Sequence, residues 1–397
     1  MKLKPVVIAA SIALASAASA QGTGPVKIGF ITDMSSLYAD IDGPAGAEMV
    51  KWAAEDFGGK VLGRPIEVLS ADHQNKADVA SSKAREWIDK DGLSMLVGGT
   101  NSGTSLAMAT VAQEKKIPFM SIGAGSARLT NEACTPYTVH YAYDTVALAK
   151  VAGNALVKGG SKKWFFLTAD YAFGHSLEAD ATTVVKANGG SVAGAVRHPL
   201  NASDFSSFLL QAQTSKAQVL ALANAGGDFT NAMKASREFG INKTMKIAGL
   251  LVFINDVHSL GLANTEGLQL ADSWYWNQDD ASRKFAQRFF DKYKRMPSSI
   301  QAADYSATTT YLKAVQAAGT TDADKVMATL KSTKVNDFYS KGQIRADGRM
   351  IHDMYLYQVK AASESTKPWD YYKLVATVPG EQAFTTVADS KCSLIKK

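Results

Sequence analysis

The sequence predicts an α/β protein built from two three-layer lobes in succession. From Pro25 onward, short apolar runs alternate with longer amphipathic ones, which is the pattern of a parallel sheet covered by helices. A second series of the same kind begins at Trp164. Even without its first 20 residues, the 397-residue chain is too long for one compact core and suits two lobes.

The spacing of apolar residues predicts the helices and strands of the first series. In the first helix, Met49, Val50, Ala53 and Phe57 recur at helical spacing, and two glycines follow as a stop signal. Short apolar runs between such helices indicate strands. The pattern predicts strands at residues 26–31, 65–70, 94–98 and 117–122, and helices at 45–57, 77–90 and 102–115.

The second series repeats the alternation, and its first helix is again closed by two glycines. Two segments, 134–144 and 267–276, are predicted as crossovers between the lobes. Two long helices and a late strand are expected beyond the second crossover. The predicted strands are 164–168, 191–197, 217–223, 245–250 and 353–360, and the predicted helices are 176–187, 204–214, 228–239, 282–296 and 301–317.

The N-terminus has the three parts of a secretory signal peptide. Lys2 and Lys4 provide a positive start, an apolar stretch follows, and Ala18-Ser19-Ala20 is a small-residue cleavage site. A membrane anchor is the alternative, but the stretch is short and diluted by Ser and Ala. We expect export to the periplasm and a mature chain that begins at Gln21. No Cys follows the cleavage site, which disfavours a lipid anchor.

The chain has two cysteines, Cys134 and Cys392. In an oxidising exported compartment, such a pair indicates one disulfide that ties the C-terminal tail to the first half of the protein. Two unpaired thiols are the alternative. The polar segment around Cys392 would otherwise fray, which favours the bridge.

Composition and motifs argue against catalysis and against nucleic acid. The net charge of +6 comes from basic residues that are scattered singly. The six histidines lie in separate segments without zinc-ligand spacing, and no GxSxG or Walker A motif occurs. Asp279-Asp280 fits a helix N-cap better than an acid–base pair. We therefore expect no enzyme activity, no metal, no cofactor and no nucleic-acid partner.

One glycine-rich loop has the features of an anion site. Gly98-Gly-Thr-Asn-Ser-Gly103 follows a predicted strand and opens a predicted helix, so its backbone N–H groups can bind an anion. Because the loop lacks the Walker lysine, a carboxylate suits it better than a nucleotide phosphate. A tight turn whose glycines serve packing alone is the alternative.

An ordered set of motifs resembles the substrate-binding proteins of branched-chain amino acid type ABC transporters. The motifs are VKIGFITDMS from residue 26, the helix from Gly46 to Asp56, VGGTNSG from 97, GAGSARLT from 123 and DYAFG from 170. The resemblance implies a type I periplasmic binding fold, with two lobes joined by hinge strands around a ligand cleft. The implied partners are a small-molecule carboxylate and membrane permease subunits, and the protein is expected to be monomeric.

The resemblance also implies the lobe boundaries. The N-terminal lobe would comprise residues 21–143 and about 272–350, and the C-terminal lobe residues 144–271 and about 351–385. Residues 386–397 would form the tail held by the disulfide. Closure would bend the chain at about 141–144 and 271–276.

In this family the ligand carboxylate is held by backbone amides and hydroxyls of two loops. The matching residues here are Ser102, Gly103, Ala124, Gly125 and Ser126. Amino-acid binders add an acid for the ligand ammonium, whereas residues 249–253 contain none, and the second lobe offers Asn224 and Gly226 where an aromatic is expected. The candidate walls are Tyr38, Tyr171, Phe173, Phe253, Trp274 and Trp276, for which core packing is the alternative role.

These features favour an aromatic acid without an α-amine as the ligand, because a buried ammonium without a counter-charge is costly. A binding protein for branched-chain or other amino acids, and a periplasmic ligand sensor of the same fold, are the alternatives.

Overall fold

The computed structural model describes residues 24–396, so the predicted signal peptide and the start at Gln21 lie outside the described residues. Two parallel sheets, each covered by helices, form two α/β lobes. The predicted α/β class and two-lobe architecture are confirmed. Among the described residues, no helix combines the length and apolarity needed to cross a bilayer.

The first lobe is built on a six-stranded sheet in the order β2-β3-β1-β4-β5-β6. Its strands run parallel except for the β2–β3 pair. Side chains of β1 are buried because helices cover both faces of the sheet. The elements are β1 (Val26–Thr32), α1 (Gly43–Asp56), β2 (Lys60–Val61), β3 (Arg64–Asp72), α2 (Ala77–Asp91), β4 (Met95–Gly98), α3 (Ser102–Lys115), β5 (Phe119–Ser121) and β6 (Thr138–His140).

The second lobe is built on a four-stranded parallel sheet in the order β10-β9-β7-β8. A π-helical turn, Ala149–Gly153, lies between its first two helices. The elements are α4 (Thr145–Leu148), α5 (Asn154–Lys158), β7 (Lys163–Ala169), α6 (Ala172–Ala187), β8 (Ser191–His198), α7 (Ser206–Thr214), β9 (Val219–Ala223), α8 (Gly226–Glu238), β10 (Lys246–Gly249), α9 (Ile254–Leu260), α10 (Leu262–Thr265) and β11 (Gln269–Asp272).

The last part of the chain adds helices and two antiparallel three-stranded sheets, β11-β15-β16 and β12-β13-β14. The helix α12 packs along α1 in the first lobe. The elements are α11 (Asp280–Tyr293), α12 (Ser299–Ala318), α13 (Ala323–Ser332), β12 (Lys334–Asn336), β13 (Lys341–Ile344), β14 (Met350–His352), β15 (Met354–Val359), β16 (Tyr372–Val378) and α14 (Gly380–Ala383).

The predicted elements match the observed ones to within a few residues, and each of the two predicted crossover segments contains a short strand. The segment 134–144 contains β6, and 267–276 contains β11. The elements that the sequence pattern did not predict are β2, β6, β11 to β14, β16, α13 and the helices of four to seven residues. Most of these are too short to show a periodic pattern. The expected N-cap is confirmed, because the Asp279 carboxylate accepts from the Ser282 N–H at 2.7 Å.

The predicted disulfide is present between Cys134 and Cys392. It fastens the tail to the first lobe, where the Lys391 N–H also donates to the Asn131 side chain at 3.1 Å. Just upstream, Lys150 of the π-turn donates to the carbonyl of Phe384 at 2.9 Å. The tail is therefore held at two points, and the bridge closes a loop over most of the chain.

We expect the double substitution Cys134→Ser, Cys392→Ser to lower the free energy of unfolding. The bridge joins residues 258 positions apart. In the chain-entropy model, a loop of that size contributes about 5 kcal/mol. Urea denaturation measures the loss, and hydrogen exchange should become faster at residues 386–396. Ser393→Ala, in the same exposed tail, is the control; equal stability of parent and double variant would contradict the expectation.

Candidate functional site

A small, nearly filled cavity of about 10 Å³ lies where loops of the two lobes meet. The first lobe contributes loops that follow β1, β4 and β5, and the second lobe contributes loops that follow β7, β9 and β10. Carboxyl ends of parallel strands converge there, which is the usual ligand position in such sheets. The lining residues are Tyr38, Ile41, Thr100, Gly123, Gly125, Tyr143, Tyr171, Phe173, Ala225 and Leu251.

The loop after β5 presents three unused hydrogen-bond donors at this cavity. The backbone N–H groups of Gly123, Ala124 and Gly125 donate to no acceptor within residues 24–396. All three residues are buried. Buried backbone donors are almost always paired, so three consecutive unpaired ones point to a missing acceptor.

The carbonyl groups of the same three residues are all occupied. Gly123 O accepts from the Tyr143 hydroxyl at 2.8 Å, Ala124 O from His140 Nε2 at 2.5 Å, and Gly125 O from the Thr145 N–H at 2.8 Å. Burial holds the pKa of His140 well below its usual range, so the ring is neutral and Nε2 carries its proton. The loop is thus fixed through its carbonyls while its amides stay free.

Two of the other predicted carboxylate donors, Gly103 and Ser126, are engaged within the protein. Gly103 N–H donates to the Asn101 side chain at 2.8 Å, because Asn101 caps α3. Ser126 N–H donates to Ser102 Oγ at 3.0 Å, and Ser126 Oγ lies 2.7 Å from Ser176 Oγ of the second lobe. Of the predicted anion-loop residues, Ala124 and Gly125 therefore have N–H groups that are free within residues 24–396, and so does Ser102, whose hydroxyl only accepts.

Aromatic rings from both lobes surround the cavity. The Tyr38 and Tyr171 hydroxyls lie 2.6 Å apart and join the lobes directly. Phe173 lies against Gly125, and its ring centroid is 5.9 Å from that of Tyr171. Burial raises the pKa of Tyr38 well above its usual range, so its phenol stays neutral and can donate.

The remaining second-lobe residues lie behind this lining. Phe253 is buried with its ring 6.2 Å from Tyr143, and Asn224 donates to His198 Nε2 at 3.1 Å. Gly226 has a positive φ of 58°, and a Cβ there would come within 2.6 Å of the Leu37 carbonyl oxygen. Glycine at 226 therefore permits the close approach of the two lobes.

The two predicted tryptophans do not line the cavity, which corrects their expected place. The Trp274 ring packs edge-on against Phe285 and Phe338, and its indole N–H donates to Ser282 Oγ at 3.0 Å. The Trp276 indole N–H donates to the Trp369 carbonyl at 2.9 Å. Both rings are buried and hold the segment after β11 in place. This is the core-packing role expected from the sequence as the alternative to lining the cleft.

Sequence reasoning missed six lining residues. Thr100 and Gly123 stand inside motifs that it had already singled out, and their positions directly after strands could have identified them. The other four, Ile41, Tyr143, Ala225 and Leu251, have no chemical signal that separates them from core residues. Among the lining residues that the structure describes, none carries a charge.

Comparison with known proteins gives one family and several similar structures. A family model described as "Periplasmic binding protein" matches residues 25–365. A periplasmic binding protein of Burkholderia mallei is 70% identical, with a TM-score of 0.94 over 94% of this chain and 100% of that one. A branched-chain amino acid ABC transporter ligand-binding protein of Burkholderia xenovorans is 41% identical, with a TM-score of 0.83 and the same coverage.

More distant relatives share the fold. The Leu/Ile/Val-binding protein homolog 6 of Brucella melitensis is 26% identical over 254 residues; the match spans 63% of this chain and 63% of that relative. A Rhodopseudomonas palustris solute-binding protein, solved in complex with benzoate, is 20% identical with a TM-score of 0.81 over 94% of this chain and 100% of that chain.

We expect Gly125→Ala to weaken ligand binding. The added methyl would lie 2.7 Å from two ring carbons of Phe173 in the opposing lobe, too close for the lobes to meet as they do here. A loss of about tenfold in affinity, about 1.4 kcal/mol, is the expected size. Calorimetric titration measures it. Gly159→Ala, whose methyl meets nothing closer than 3.3 Å, is the control, and equal affinity in both variants would contradict the expectation.

Proposed function

The chain belongs to the periplasmic binding protein family, and from this premise we propose that it is the receptor of an ABC importer for a small aromatic carboxylate. Its family and fold are those of solute-binding proteins, which are not enzymes. The proposed receptor is exported to the periplasm by a cleaved signal peptide and delivers its ligand to membrane permease subunits.

The free amides of Gly123, Ala124 and Gly125 are the observation that carries the proposal. Unpaired backbone N–H groups form strong hydrogen bonds to an anion, and two of the three residues, Gly123 and Gly125, line the cavity. A carboxylate has two oxygens with several lone pairs, so it can accept from all three donors. Because the site is buried, these hydrogen bonds are worth more than they would be in water.

The character of the lining suits an apolar ring that enters when the lobes part. The rings of Tyr38, Tyr143, Tyr171 and Phe173 surround the cavity, and Ile41 and Leu251 complete the apolar wall. Offset or edge contacts between rings add about 0.5–1.5 kcal/mol each beyond area burial. No acidic side chain is among the described lining residues, so a ligand ammonium would be buried without a counter-charge.

The names of similar proteins favour two ligand classes. The Burkholderia xenovorans protein is named for branched-chain amino acids, while the Rhodopseudomonas palustris protein binds benzoate. An amino acid is therefore the second candidate. The uncharged lining leads us to prefer the aromatic acid.

We further propose that the lobes comprise residues 21–143 with 272–350 and residues 144–271 with 351–385, and close by bending near 141–144 and 271–276. Four contacts support this division. Arg349 donates to the carbonyls of Tyr143, at 2.9 Å, and Tyr141, which ties two neighbouring crossings together. After β11, Trp274 packs on α11 while Tyr275 packs on Tyr372 of β16.

We expect benzoate and 4-hydroxybenzoate to raise the thermal midpoint, because a ligand at 100 times its dissociation constant stabilises the native state by about 2.7 kcal/mol. Differential scanning fluorimetry of protein stripped of bound ligand measures the shift. Matched pairs of compounds separate the contributions. Benzamide lacks the carboxylate of benzoate, cyclohexanecarboxylate lacks its aromatic ring, and phenylalanine adds an ammonium to 3-phenylpropionate.

Each altered compound should shift the midpoint less than its partner. If leucine, isoleucine or valine raises the midpoint while the aromatic acids have no effect, the amino-acid candidate replaces the aromatic one.

A further inference from the structure

Two buried carboxyl groups face each other behind the cavity wall. Asp42 stands at the start of α1 and Asp304 lies in α12, and both side chains are fully buried. A methyl group on Gly46 would lie 2.0 Å from Asp42 Oδ1 and 2.7 Å from Asp304 Oδ2. The two carboxyl oxygens therefore flank one methyl-sized space, which glycine at 46 leaves open.

The hydrogen-bond partners of this pair are incomplete. Asp42 Oδ2 accepts from Thr32 Oγ1 at 2.5 Å and from Thr100 Oγ1 at 2.8 Å. Asp42 Oδ1 and both Asp304 oxygens have no donor within residues 24–396. Ionised carboxylates only accept, so the two groups can bond to each other only if one of them carries a proton.

Burial and the neighbouring charges favour a state in which one of the two carboxyl groups keeps its proton. Burial raises the pKa of Asp304 well above its usual range, and the adjacent Asp42 raises it further. Burial raises the pKa of Asp42 to about 6 although hydrogen bonds from its partners lower it. The other titratable groups that act on the pair are Asp33 and Tyr143, and neither brings a positive charge.

The pair is connected to the ligand cavity through one side chain. Thr100 lines the cavity, and its hydroxyl donates to Asp42 and also contacts the Thr32 hydroxyl. Any displacement of Asp42 would therefore move a wall residue. The Asp42 backbone N–H also donates to the carbonyl of the lining residue Tyr38 at 3.2 Å, but among residues 24–396 Thr100 is the only lining residue that hydrogen-bonds to the Asp42 carboxyl group.

We propose that Asp42 and Asp304 share one proton and that, through the Asp42–Thr100 hydrogen bond, they hold Thr100 in its ligand-binding position. Both are positioning residues, since neither lines the cavity. Loss of the shared proton leaves two adjacent buried carboxylates, which repel each other and displace Thr100. Because the folded protein holds this proton more tightly than the unfolded chain, its stabilising effect is present at low pH and is lost as the pH rises.

Infrared spectroscopy tests the shared proton without any ligand. The carbonyl stretch of a protonated carboxyl group should be present at about pH 8 in the parent and reduced in Asp304→Asn. Asn keeps the shape of Asp and supplies a permanent N–H donor to Asp42. An unchanged band in the variant would overturn the proposal. Thermal melting confirms that each variant is folded.

The positioning role is tested by the affinity for benzoate between about pH 6 and about pH 9.5. Parent affinity should fall about tenfold across this range, while Asp304→Asn should keep a flat profile. Thr100→Val lacks the connecting hydroxyl but keeps the shape, so its profile should also be flat. Asp180→Asn removes another carboxyl whose pKa burial raises to about 6, and it should retain the parent profile.

Equal profiles in the parent and Asp304→Asn, or a parent-like fall in Thr100→Val, would overturn the positioning role. Only this affinity series rests on the proposed function. If no aromatic acid binds at any pH, the proposed function is wrong, the infrared result still decides the shared proton, and leucine replaces benzoate as the probe.

Discussion

The loop from Gly123 to Gly125, held by hydrogen bonds to its carbonyls, is the constraint on which the proposed binding site depends. Its three carbonyls are taken by His140, Tyr143 and Thr145, so its amides are left as free donors at the cavity. These three partners follow one another along β6 and the start of α4, where the chain passes from the first lobe to the second. The anion site and the interlobe crossing are therefore parts of one hydrogen-bonded unit, and a change in one affects the other.

Contacts between the lobes converge on the same loop. Phe173 lies against Gly125, the Tyr38 and Tyr171 hydroxyls meet at 2.6 Å, and Gly226 admits the backbone of Leu37. Each contact depends on a small residue or a short hydroxyl pair rather than on a large apolar interface. Such contacts can separate at low cost, which suits a cleft that must open to take up and release a ligand. Arg349 donates to the carbonyls of Tyr141 and Tyr143, and the disulfide fastens the tail to the first lobe.

Sequence patterns predicted the regular elements better than the chemistry of the site. Helix α3 begins and ends at its predicted residues because strand, glycine loop and lysine-rich end all agree. The glycine motifs also lie in loops that line the cavity, at Thr100, Gly123 and Gly125. The sequence could not show which amides in those loops stay free. Asn101 and Ser102 accept hydrogen bonds from the amides of Gly103 and Ser126. His140 and Thr145 bind the carbonyls of Ala124 and Gly125 through tertiary contacts that no sequence pattern indicates. In the sequence, Trp274 and Trp276 cannot be distinguished from aromatic residues that line a cleft. Only the structure shows that Trp274 packs against Phe285 and that Trp276 donates to the Trp369 carbonyl, away from the cavity.

The central claim is that the amides of Gly123, Ala124 and Gly125 bind the ligand's carboxylate. Amide NMR of protein labelled with nitrogen-15 tests it most directly, with benzoate added to ligand-free protein until saturation. The account predicts large downfield proton shifts at these three amides, as expected for new charge-assisted hydrogen bonds, and only small shifts at Gly103, whose N–H already donates to Asn101. Saturation that leaves the three amides unchanged while amides elsewhere shift would contradict the account.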